Sequence, residues 1–254
     1  MSTIRAELPR IAIRRGPAAA TVVHALARIV VIAGFVIAGF LAYQFGVTSY
    51  FANRSQDDLA ARLTADTGRV TSVPFVAGDR PAAPVAIPGD LPQVVATPPS
   101  GDADSILAET APAVGEPVGR ITIAAIGVDW VFVEGVDGSS LRSGAGHMPN
   151  TALPGQPGNA VISGHRTTFG APFFHLDQVE PGDLITVATG SGVHTYQVVD
   201  TRVVAPDATW VTGQWDGAWL TLTTCNPVFS ARERLVVLAR LVDGPNARVI
   251  LGAA

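Results

Sequence analysis

The sequence predicts a mainly β domain of barrel type with a few short helices, set behind an N-terminal transmembrane helix and a Pro/Ala-rich linker. Three observations carry this. Residues 29–47 hold no charge and one strongly polar side chain, Gln44, while residues 71–117 contain nine prolines. Beyond them come seven or so short apolar, β-branched runs separated by Pro-Gly and Gly-rich breakers. Strands so short and numerous, with few sustained helical periods, fit a small closed barrel rather than alternating β/α units.

In chain order, the first element is the membrane helix. At the helical rise, residues 29–47 reach across a hydrocarbon core about 30 Å thick. Arg5, Arg10, Arg14, Arg15 and Arg28 precede them against the single acid Glu7, so the positive-inside bias puts residues 1–28 in the cytoplasm and all that follows outside. The apolar stretch is longer than a signal-peptide core, and no clear Ala-x-Ala cleavage pattern follows it. Tyr43, Tyr50 and Phe51 fall where an interfacial aromatic belt would lie. The expected location is therefore the cell membrane, single-pass.

Residues 48–117 read as a juxtamembrane segment and linker. Within them 53–69 have the Ser/Asp start, Leu59, Leu63 and terminal Gly of a short helix. From 71 onward the prolines preclude helix or central strand and predict an extended, semi-rigid tether. The folded domain is expected over 118–243, followed by a tail at 244–254. Its strands are placed at 119–126, 129–134, 159–163, 183–188, 193–204, 219–224 and 235–241, with short helices at 139–144 and 172–179.

Cys225 is the chain's one cysteine, so no intramolecular disulfide can form. It ends a predicted strand in which Thr221, Thr223 and Cys225 share one face, and the Asn226-Pro227 step after it stops regular pairing. That local pattern leaves open whether the thiol is a buried filler or a reagent. An outward-facing domain sits in an oxidising compartment, where a solitary thiol is unusual and the reactive reading gains weight. His165 follows the run Ala160-Val161-Ile162 and Ser163-Gly164, a setting that taken by itself favours a structural histidine over a functional one. Arg234 opens the run Leu235-Val236-Val237-Leu238, with Arg232 and Arg240 as local competitors. His24, His147, His165, His175 and His194 show no metal-ligand spacing, so no metal is expected. No phosphate loop and no basic patch with interleaved aromatics is present, which argues against nucleic acid as a partner. A thiol, imidazoles and arginines are the minimal set for nucleophilic acyl transfer.

The string Thr221-Leu222-Thr223-Thr224-Cys225, with Gly164-His165 upstream and Arg234-Leu235 downstream, resembles the sortases, membrane-anchored cysteine transpeptidases of Gram-positive surfaces. Gly144-Ala145-Gly146-His147-Met148-Pro149 and Thr167-Thr168-Phe169-Gly170-Ala171-Pro172-Phe173 are most similar to class E sortases of actinobacteria. The Asp-Pro-aromatic or Asp-Gly-aromatic lid string of pilin-polymerising class C sortases is absent from 71–117. The resemblance implies an eight-stranded β-barrel, no cofactor, and roles for three residues. Cys225 would attack the Thr carbonyl of a Leu-Pro-x-Thr-Gly or Leu-Ala-x-Thr-Gly sorting signal. His165 would protonate the departing glycine amine, and Arg234 would hold the oxyanion. The partners implied are secreted proteins bearing the signal and a cell-wall precursor amine on a lipid-linked peptidoglycan peptide. His147, Thr223 and Thr224 are further candidates beside the substrate, and Trp130 and Tyr196 are aromatic candidates for its groove. The competing non-enzyme reading is a membrane-tethered barrel that binds surface peptides without turnover.

Overall fold

A computed structural model describes residues 17–65, 69–74 and 105–252. The expectations for residues 1–16, for most of the Pro-rich stretch (75–104) and for the last two residues of the tail lie outside the described residues. The chain divides into two units, Met1–Tyr43 and Gln44–Ala254.

The first unit contains helix α1 (Pro17–Ala42). Within it Thr21–Ala42 is long and apolar enough to cross a membrane, with mean hydropathy 2.4 and none of its most apolar stretch buried by protein. The helix starts well before residue 29 because Ala18, Ala19 and Ala20 extend it with strong helix formers. Arg28, which bounded the charge-free run, is simply carried on its surface.

A π-helical turn (Tyr43–Val47) follows α1, and the second unit continues with helix α2 (Thr48–Ala65). Helix α2 packs Leu59, Ala60 and Leu63 on Val131 and Val133. Gln56 acts there as a strand surrogate. Its Oε1 accepts the Val131 N–H at 2.7 Å, and its Nε2 donates to the Val131 carbonyl at 2.9 Å and the Ser143 carbonyl at 2.7 Å. Strands β1 (Val70–Pro74) and β2 (Ser105–Glu109) form a separate antiparallel pair. The 48–117 stretch thus includes folded elements fixed to the domain.

The remaining strands are β3 (Pro117–Ile123), β4 (Val128–Glu134), β5 (Ala145–His147), β6 (Gly158–Gly164), β7 (Leu184–Thr189), β8 (Gly192–Val204), β9 (Ala218–Asn226) and β10 (Glu233–Asp243). They close an eight-stranded barrel in the order β10-β8-β7-β3-β4-β5-β6-β9, the mainly β class expected. Pairing is antiparallel except for β4 with β5 and β6 with β9. Ile121, Phe132, Ile162, Leu220, Leu222 and Val237 fill the interior, each wholly buried. The expected short helices are 3-10 turns at Ser140–Ser143 and Leu176–Gln178, and a short helix α3 (Ala247–Gly252) occupies the tail. Strand β5 was not anticipated. It is three residues long, and at Gly146 a Cβ would stand 2.1 Å from the Gly135 carbonyl oxygen, so only glycine lets these segments approach.

Strand β2 is tied to the barrel by polar contacts. The Leu107 N–H donates to Asn246 Oδ1 at 2.8 Å. The Glu109 carboxylate accepts the Thr189 hydroxyl at 2.6 Å and the Ser191 hydroxyl at 2.9 Å. Beneath this turn lies His194, wholly buried, with Nε2 3.1 Å from Ser191 Oγ and no hydrogen-bond partner for Nδ1 among the described residues. Burial pushes its pKa down to about 4, against the pull of nearby Glu109. The unfolded chain therefore binds a proton between about pH 6.5 and 4 that the folded chain does not. Stability from this group is fully present above that window and declines as pH falls through it, by roughly 3 kcal/mol. Denaturant titrations of the full chain in detergent across this range are expected to show the decline, and His194→Phe is expected to flatten it. An equal pH slope in the variant would place the proton uptake elsewhere.

Candidate active site

Strands β6 and β9 run parallel and reach the same rim of the barrel, their last paired residues being Ser163 and Thr223. On its other side β9 pairs with β10, where Arg234 stands opposite Cys225. Cys225 and Arg234 thus face each other across β9 and β10, and His165, sixty residues upstream, follows the end of the adjacent β6. His165, Cys225 and Arg234 all line one cleft of about 420 Å³, together with Met148, Thr223 and part of the β8–β9 connection. That volume falls in the range of small-ligand and peptide side-chain sites.

Cys225 is the free thiol, half-buried at the end of β9. Burial alternates as expected, Thr223 and Cys225 being half-buried and Thr224 between them buried, although all three line the cleft. Neither threonine hydroxyl is uncommitted. Thr223 Oγ1 lies 2.9 Å from Ser163 Oγ, and Thr224 Oγ1 donates to the Gly164 carbonyl at 2.8 Å. Both join the strand of the thiol to the segment of the imidazole.

His165 leaves β6 on a bend that needs Gly164, where a Cβ would meet the Phe173 ring at 2.7 Å. Its ring packs on Phe169, centroids 5.1 Å apart and planes tilted by 37°. Phe169 adopts a left-handed φ of 52°, sparsely populated for a residue with a Cβ, and such strain clusters where surrounding structure dictates a position. Burial pushes the His165 pKa below its ordinary value. At neutral pH the ring is mostly neutral, and its protonated form is a readier proton donor.

The three candidate arginines separate by register. Arg240 lies toward the far end of β10, opposite Trp219, with its guanidinium 5.8 Å from that ring's centroid. Arg232 is exposed on the loop before β10 and does not line the cleft. Arg234 does, and its Nη1 donates to the carbonyls of Ala231 at 3.0 Å and Glu233 at 2.9 Å. Its guanidinium is thus anchored by backbone of its own strand entry.

The other candidates stand apart from the lining. His147 is buried, with Nδ1 2.7 Å from Glu134 Oε2 and Nε2 2.9 Å from the Ala152 carbonyl, so both ring nitrogens are occupied within the fold. Tyr196 is wholly buried, and its hydroxyl accepts the Gly155 N–H at 2.7 Å. Trp130 packs against the core, its ring under Gly144 and Gly170. Asp137 contributes indirectly. The Ser139 and Ser140 hydroxyls, with the N–H groups of the same residues, hold its carboxyl well below the usual carboxylate range and fix the turn that sets Leu141 in the cleft wall. Among the described residues no group of three or more His, Cys, Asp or Glu side chains is placed to hold a metal ion.

The Sortase domain family matches residues 121–242. Sortase D of Bacillus subtilis is 33% identical over 135 residues, covering 52% of this chain and 67% of that protein. Two Streptomyces coelicolor proteins are also similar. Sortase SrtE1 is 30% identical over 128 residues, covering 44% of this chain and 36% of that protein. Sortase SrtE2 is 27% identical over 248 residues, covering 90% of this chain and 85% of that protein.

Proposed function

The chain belongs to the sortase family, with class E resemblance, and from that membership we propose that it is a membrane-anchored transpeptidase using Cys225, His165 and Arg234 as its reacting set. The observation that carries the assignment is the pairing of Arg234 with Cys225 across β9 and β10, in a cleft that His165 also lines.

In this reading the Cys225 thiolate adds to the threonine carbonyl of a Leu-Pro-x-Thr-Gly or Leu-Ala-x-Thr-Gly signal. The carbonyl oxygen becomes an oxyanion, and the Arg234 guanidinium supplies charge-assisted hydrogen bonds to it. Collapse breaks the carbon–nitrogen bond, and the His165 imidazolium gives its proton to the departing glycine nitrogen. The thioacyl enzyme is then attacked by an amine of a cell-wall precursor, which returns a proton to His165 as the thiolate leaves. The product is an amide that joins the surface protein to the wall. Helix α1, with arginines concentrated on its N-terminal side, supports a cell-membrane location with the N-terminus cytoplasmic and the barrel outside.

Mass spectrometry of the full chain in detergent, incubated with peptides varying the signal's second residue, tests this. A mass increase on Cys225 equal to the fragment ending in threonine less one water is expected, discharged by a diaminopimelate-type or oligoglycine amine into a peptide amide. Peptide binding without any adduct or cleavage would favour the non-catalytic barrel instead.

A further inference from the structure

Arg166 follows His165 in sequence, and its side chain is only 3% exposed. Its contacts reach two separate parts of the rim. Nη2 pairs with Asp177 Oδ2 at 2.9 Å, in the 3-10 turn Leu176–Gln178. Nη1 donates to Asn226 Oδ1 at 2.5 Å and reaches the Cys225 carbonyl at 3.5 Å. Asn226 donates in turn from Nδ2 to Glu233 Oε2 at 2.9 Å. Nε is buried without a partner among the described residues. A buried cation with one unsatisfied donor is poor value for stability, since an apolar side chain of similar volume usually serves as well. Its position needs another reason.

The strand ladder supplies one. Backbone pairing between β6 and β9 stops at Ser163 and Thr223, so the two residues that carry the chemistry lie beyond its last rung. Past that rung, two side-chain links join the diverging segments. One is the Thr224 hydroxyl on the Gly164 carbonyl at 2.8 Å. The other is the Arg166 guanidinium, anchored beside His165 and bound to the Cys225 carbonyl and the Asn226 side chain.

We infer that Arg166 is a positioning residue whose guanidinium fork replaces the missing rungs and fixes the spacing between His165 and Cys225. This rests on the reading of those two residues as the reacting pair. Arg166 itself touches no substrate: it is buried, and its Nη groups are committed to Asp177, Asn226 and Cys225. A lysine would keep the charge but lose the planar fork that spans two partners.

The test uses the full chain in detergent as parent, Arg166→Lys and Asn226→Ala, each alone and combined with Cys225→Ala. In Arg166→Lys, kcat for peptide transfer to an amine is expected to fall about tenfold to a hundredfold with KM within about twofold, the pattern of a misplaced reacting group. Independently of any peptide, the NMR titration midpoint of His165 is expected to move on Cys225→Ala in the parent, and by less than half as much in the Arg166→Lys background. Parental kcat and parental coupling in a folded Arg166→Lys chain would overturn the inference, as would a kcat loss no larger than the loss of folded protein. If Arg166→Lys does not fold, Asn226→Ala removes the Nη1 partner from a half-buried site, and the same two criteria apply to it. A parent that transfers no peptide defeats the transpeptidase assignment, while the His165 coupling still decides the role of Arg166.

Discussion

Replacing Cys225 with alanine is expected to end peptide transfer while leaving the barrel folded. Cys225 sits at the end of β9, half-buried, and contributes no side chain to the core clusters. Losing one sulfur there is expected to change stability by about 0.5 kcal/mol or less. Turnover behaves differently, because the proposed route has no step that bypasses the thioacyl bond. Removal of a nucleophile that acts as part of a unit costs about 10⁴–10⁶-fold in kcat. Circular dichroism and the denaturation midpoint check the fold, and the amine-transfer assay with mass spectrometry checks the chemistry. Undiminished transfer by the alanine variant would remove Cys225 from the mechanism. Cys225→Ser sharpens the result: it preserves shape and hydrogen bonding yet presents a hydroxyl far less ionised than a thiol, so the same near-complete loss is expected.

The sequence made the β runs and the three rim residues legible for a physical reason. Strand alternation places Thr223 and Cys225 on one face, and both line the cleft. Gly164 just before His165 leaves room that the Phe173 ring fills. What stayed illegible depended on contacts between segments distant in sequence. Strand β5 is too short and glycine-rich to show a period, and it forms because β4 and β6 flank it. The burial of His147 follows from its parallel pairing with Glu134 in that arrangement. No local pattern announces the docking of α2, because it hinges on one glutamine satisfying a backbone unit of β4. Arg166 is the sharpest case. No local pattern singles it out after His165, and only the fold of the 172–179 segment and the end of β9 encloses it. The reverse holds for the arginine choice. Sequence left Arg232, Arg234 and Arg240 open, and strand register distinguishes them without reference to chemistry.

Register also sets the second large expectation. Arg234 is opposite Cys225, and its Nη1 is held by the Ala231 and Glu233 carbonyls at 3.0 and 2.9 Å. A guanidinium anchored in this way does little reorganising as charge develops, which is the condition under which a donor lowers a barrier rather than merely tightening binding. The negative charge it would meet exists only once the thiolate has added to the carbonyl. Its loss should therefore appear mainly in kcat and leave KM close to the parent value. Arg234→Ala is expected to lower kcat about 10²–10³-fold, the range for deleting one donor to an oxyanion. Arg234→Lys is expected to recover part of that, since the charge remains but the planar fork and its backbone anchors do not. Arg232→Ala, on an exposed loop outside the cleft, is the matched control and is expected to stay within about twofold, as surface changes away from a site usually do. Steady-state transfer kinetics of the three variants in one detergent preparation decide the point. If Arg232→Ala were inactive while Arg234→Ala worked normally, the oxyanion donor would have to come from the loop rather than from the strand opposite the thiol.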